Sequence, residues 1–132
     1  MRSPVIHVIY PPESRMKVEC RVYDTQRDML NAIRKDGAKG SMSGVANNTM
    51  AYCCTYKDLM PAGHAAIIYF SKPHLTRGNV AHEMTHASFS VLARRKIKSV
   101  ECTTESAGKN EELLCYMIGG LVDHFYKRFG IH

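Results

Sequence analysis

The segment His64–Lys96 reads HAAIIYFSKPHLTRGNVAHEMTHASFSVLARRK, and it carries most of what decides the fold. Its first part, Ala65–Phe70, is a short apolar run entered through the turn-forming Pro61-Ala62-Gly63, which reads as a strand. Pro73 and Gly78 then break the chain, and a helical stretch follows from Thr76 or Asn79 to Lys98. Val80, Ala87, Val91 and Leu92 give that helix an apolar stripe to bury, while Thr85, Ala87 and Ser88 are small enough for close packing. The cations Arg94, Arg95, Lys96 and Lys98 gather at its expected end, where the helix dipole favours them.

Outward from this segment the pattern alternates. Val5–Tyr10 reads as a strand stopped by Pro11-Pro12. Met16–Tyr23 sets Met16, Val18, Cys20 and Val22 against Lys17, Glu19 and Arg21, the two-residue period of a half-buried strand. Asp24 is a suitable N-cap for a helix that uses Met29, Leu30 and Ile33 and ends at Gly37. Gly40–Gly44 reads as a loop, and Val45–Tyr56 holds one strand. A last helix is expected over Lys109–Phe129, with Lys127 and Arg128 at its end. The order strand, strand, helix, strand, strand, helix, helix implies an α+β domain with a mixed, mostly N-terminal sheet.

The 132 residues are one domain's worth, so residues 1–132 are read as a single unit. With 45% hydrophobic and 23% charged residues, composition excludes a disordered tail, a collagen-like repeat and a disulfide scaffold. The richest apolar windows, Ala65–Phe70 and Leu113–Val122, fall short of a membrane span, and Met1–His7 lacks the apolar core of a secretory signal. Five cysteines, an odd number with no C-x-x-C pair, are read as reduced thiols in a cytoplasmic protein. If their segment is a strand, Cys53 and Cys54 point to opposite faces. The net charge of +6 and pI near 9.2 favour an acidic partner. The cations are scattered apart from the two helix ends, so nucleic acid is the weaker alternative and a membrane is not expected.

The chemistry lies in His82-Glu83-Met84-Thr85-His86, an H-E-x-x-H pattern. On a helix, residues four apart share a face, so both imidazoles can converge on one ion, and Glu83 can act as base beside it. At this chain's content of His and Glu the pattern arises by chance about 0.02 times, so it is informative. Two imidazoles and a carboxylate suit zinc, and the third ligand is sought near the start of the last helix. Glu112 is preferred to Glu111 there. Cys115, Tyr116 and Gly119 follow it on its face, and the small ones would let another helix approach. His64 and His74 are read as solvated loop histidines. Asp123 and His124 stand too far beyond Glu112 to share its ion, about 18 Å for His124. Tyr116 could fill the core or hydrogen-bond at the site. The cysteines carry no mark of activation.

His82, Glu83 and His86 with a downstream helical glutamate resemble the gluzincin group of zinc metallopeptidases, most of all its minimal members and compact phage or bacterial zincins. The resemblance spans roughly His82–Gly119. It implies a zincin-like fold with an active-site helix beneath the sheet and a C-terminal glutamate helix. It also implies Zn2+ held by His82, His86 and Glu112, and peptide-bond hydrolysis by activated water with Glu83 as general base. A peptide or protein would be the substrate, paired with an edge strand, a place assigned to Ala65–Phe70. The departure from the group's pattern is that these residues show no obvious downstream domain of the kind expected to supply a pocket wall and a transition-state histidine or tyrosine. A regulatory or inhibitory binding protein on a zincin fold is the alternative. A further expectation is that Met1–Ser14 or Gly40–Gly44 covers the site, against the simpler reading of Val5–Tyr10 as a sheet strand.

Overall fold

The computed structural model describes residues 3–37, 45–104, 106 and 108–130. Four strands, β1 (Val5–Ile9), β2 (Lys17–Tyr23), β3 (Ala51–Cys54) and β4 (His64–Ser71), form one sheet in the order β1-β2-β4-β3. The β2–β4 pairing is parallel, and β1–β2 and β3–β4 are antiparallel. Three helices complete the domain: α1 (Gln26–Asp36), α2 (Arg77–Arg94) and α3 (Glu111–Phe129). The expected element order and α+β class with a mixed sheet are what the chain adopts.

Alternation along the strands divides the interior into two layers. Val18, Cys20 and Val22 of β2 and Ala66, Ile68 and Phe70 of β4 meet Val80, Met84 and Ala87 of α2 and Leu121 and Phe125 of α3. On the opposite face, Ile67 and Tyr69 pack with Met29, Leu30 and Ile33 of α1. Cys53 belongs to the α2 side and Cys54 to the α1 side, the opposed placement that strand geometry requires. All five cysteines are free thiols.

Several expectations need correction. The cap of α1 is Thr25, whose Oγ1 accepts from the Asp28 N–H at 3.1 Å; Asp24 lies one residue outside. The second long helix stops at Arg94, short of Lys98. Lys96 takes a left-handed φ of 62°, and the Ile97 N–H turns back to the Leu92 carbonyl at 2.9 Å. Ala65–Phe70 is not an edge strand. It lies within β4, between β2 and β3, and is enclosed on both faces, which explains its unbroken apolar run. The edge on that side is β3.

The described residues of the N-terminal stretch form no lid. β1 pairs with β2 from Val5↔Val22 to Ile9↔Val18, at the sheet edge opposite β3. Pro12, just beyond it, lies against Gly120 of α3 so closely that a Cβ there would stand 2.3 Å from the proline ring. Met1, Arg2 and the Gly40–Gly44 loop lie outside the described residues. No helix among the described residues is long and apolar enough to cross a membrane.

Phe125 is fully buried between Phe70, at 5.1 Å between ring centroids, and Phe129, at 4.5 Å. Phe125→Ala should cost about 3–5 kcal/mol in urea unfolding, and Tyr116→Ala, 68% exposed on the same helix, no more than about 0.5 kcal/mol. Similar losses for the two variants would contradict this placement of α3.

Candidate functional site

Thr76 caps α2 through its Oγ1, which accepts from the Asn79 N–H at 3.1 Å, so the helix is established before His82. Burying Val80, Met84, Ala87 and Val91 leaves His82 and His86 on an exposed flank one turn apart. Their Nε2 atoms are 3.3 Å apart. Two imidazole nitrogens each about 2.0–2.1 Å from a tetrahedral ion stand about 3.3 Å apart, so the pair fits two corners of a zinc site. The same separation suits an N–H···N hydrogen bond between neutral rings.

Glu83 turns inward. It is 6% exposed, its Oε1 lies 3.9 Å from His82 Nε2, and its Oε2 is buried with no hydrogen-bond partner among the described residues. Beneath it lies Cys53 of β3, whose thiol is pushed up well above its usual range by burial and then by the Glu83 charge. Burial raises the Glu83 pKa as well, with His82 acting in the opposite direction. A carboxyl that readily holds a proton, next to two converging imidazoles, suits a proton-shuttling role.

The other predicted ligands are not brought to this pair. α3 lies over β1 and α2 over β4 and β3, so α3 flanks α2 on the side away from the β3 edge. His86 opens on the β3 side, forming a groove with Cys53 and Thr55. The two helices run antiparallel, with Met84 packing near Leu121 and Phe125, and Leu92 near Met117 and Leu113. The first turn of α3 therefore lies beside the last turn of α2, at the end away from His82. Glu112 is exposed there, and Cys115, Tyr116 and Gly119 are exposed with it. That stripe faces solvent, and the close approach falls at Gly120 instead, against Pro12. Glu111 turns back onto the loop before its own helix, its Oε2 accepting from the Gly108 N–H at 3.1 Å. Among the described residues no group of three His, Cys, Asp or Glu side chains is placed to hold an ion.

Tyr116 neither fills the core nor reaches the histidines. His64 is not a solvated loop residue: it begins β4, is 9% exposed at the side chain, and its Nε2 lies 3.3 Å from Glu19 Oε1. His124 Nδ1 accepts from the Tyr10 N–H at 3.3 Å, away from the pair. Two features were missed in sequence. Cys53 under Glu83 depends on a sheet pairing that no local pattern reveals. The groove wall of His86, Phe89, Ser90, Ala93 and Arg94 follows helical spacing along α2, the signal that could have found it.

Comparisons with protein-family models, curated proteins and solved structures return no match for this chain.

The Glu83 environment sets a pH dependence. In the unfolded chain the carboxyl ionises at its ordinary value, whereas the folded protein holds that proton to higher pH. Between those two values the folded state binds more protons, so stability falls as pH rises through the interval. Chelator-treated Glu83→Gln lacks this loss. Its stability relative to wild type should increase from the ordinary glutamate range upward and then level off, as read by urea unfolding at a series of pH values. A difference that does not change with pH would show that Glu83 is not enclosed.

Proposed function

We propose that the protein is a zinc-dependent peptidase of minimal zincin type, with Glu83 as general base and His82 and His86 holding the ion. The observation that carries this reading is the 3.3 Å convergence of the two Nε2 atoms beside the enclosed Glu83 carboxyl. Zinc bound there would supply Lewis acidity toward water and toward the substrate carbonyl. Glu83 would take a proton from the attacking water and pass it to the leaving amine, helped by the burial that raises its pKa. Glu112 is the proposed third ligand and Glu111 the alternative. Either requires the first turn of α3 to be redirected toward His86 when metal binds. The groove between β3 and α2 would admit the peptide or protein substrate, and the free thiols accord with a reducing, cytoplasmic setting.

A second reading is a zincin-fold regulatory or inhibitory protein without turnover. It draws support from the absence, among the described residues, of a third ligand beside the histidines.

Elemental analysis and peptide cleavage separate the possibilities. Wild type should hold one zinc per chain, and His82→Ala and His86→Ala should lose it. Glu83→Gln should keep zinc and lose about 10²–10⁴-fold in turnover. Glu112→Ala should weaken zinc retention and Glu111→Ala should not, the reverse result exchanging their roles. Full zinc in the two histidine variants would overturn the site, and stoichiometric zinc without chelator-sensitive cleavage would favour the regulatory reading.

A further inference from the structure

The groove that starts at His86 runs along α2 and β3 for about 680 Å³, and its chemistry changes along its length. Near the histidine it is lined by Phe89, 49% exposed, and by Cys53. At the other end stand Lys57, Arg94 and Lys96. No aspartate or glutamate lines it, and among the described residues no carboxylate forms an ion pair with any of these three cations. Arg94 is tethered through Nη2, which donates to the Thr55 carbonyl at 3.4 Å, while its Nε is enclosed without a partner. Three unneutralised cations at the end of one groove form a site for a carboxylate.

We infer that this groove selects peptides carrying an acidic side chain three or four residues from the bond held opposite His82, Glu83 and His86. The spacing follows from the scaffold. Arg94 lies eight residues beyond His86 on α2, about 12 Å at ~1.5 Å per residue, and an extended peptide covers that distance in three to four residues at ~3.3 Å each. Phe89, between the two ends, offers an aromatic surface to an apolar side chain of the same peptide. The position of the bond rests on the peptidase reading, whereas the charge preference of the groove does not.

The test uses full-length Glu83→Gln protein and two labelled peptides, alike except for glutamate or glutamine at the third and fourth positions on both sides of a central phenylalanine. By fluorescence anisotropy at low salt the glutamate peptide should bind about tenfold more tightly, with the advantage shrinking as salt is added. Lys57→Gln combined with Lys96→Asn should cut the preference to about twofold, the part left to Arg94; both side chains are exposed, and asparagine tolerates the left-handed backbone at position 96. Equal affinity of the protein with its groove intact for the two peptides, or a preference undiminished in the double variant, overturns the inference. Zinc-loaded wild type separates the two proposals. Selective binding without chelator-sensitive cleavage leaves the groove standing and removes the peptidase, and cleavage indifferent to charge does the reverse.

Discussion

β4 contributes Ala66, Ile68 and Phe70 to one interior layer and Ile67 and Tyr69 to the other, and covering both of its faces determines where the remaining elements lie. α1 closes one side. There the Tyr69 hydroxyl donates to Asp36 Oδ2 at 2.6 Å, and Arg21 joins Asp36 at 3.0 Å and also Glu19. The buried phenol therefore has its partner at the C-terminal end of α1, and burial with the Asp36 contact raises its pKa. α2 and α3 close the other side through a mostly apolar layer, and Ser90 Oγ of α2 donates to the Ala65 carbonyl of β4 at 2.6 Å, fixing the helix on the sheet.

This division also decides what α2 can offer. The face turned to the sheet is committed to Val80, Met84, Ala87 and Val91, and one flank to α3, so only the flank toward β3 and the outer surface remain open. His86 and Arg94 line that open flank, and Glu83 sits at its border with the interior. A carboxyl at that border is shielded enough to hold a proton and near enough to exchange it with the histidine side.

Much of the architecture was readable because it is periodic. The two-residue alternation of β2, the apolar run of β4 and the stripe of α2 each report one local geometry. Misreadings arose where a residue's environment depends on sheet order. Ala65–Phe70 cannot be told from an edge strand without knowing that β3 pairs outside it. The His82–Glu83–His86 cluster was legible because its spacing lies within one helix. Glu112 was not placed by such reasoning, because small neighbours at Cys115 and Gly119 fit a packed face and a solvent face equally well, and only the partner helix distinguishes them. Gly120 shows the same limit: what requires its missing side chain is Pro12, more than a hundred residues earlier in the chain.

β3 is four residues long and, among the described residues, pairs only with β4. Alternate residues of a strand direct their backbone groups outward, so this edge offers an added strand about two residues' worth of hydrogen bonds. At a net value of about 1 kcal/mol each, four such bonds give about 4 kcal/mol, which the entropy cost of association alone offsets. Self-assembly through this edge is correspondingly weak: two copies joined only here would separate at micromolar concentration. Brevity thus limits fibril growth from this edge while leaving a strand open to pairing on the histidine side of the sheet.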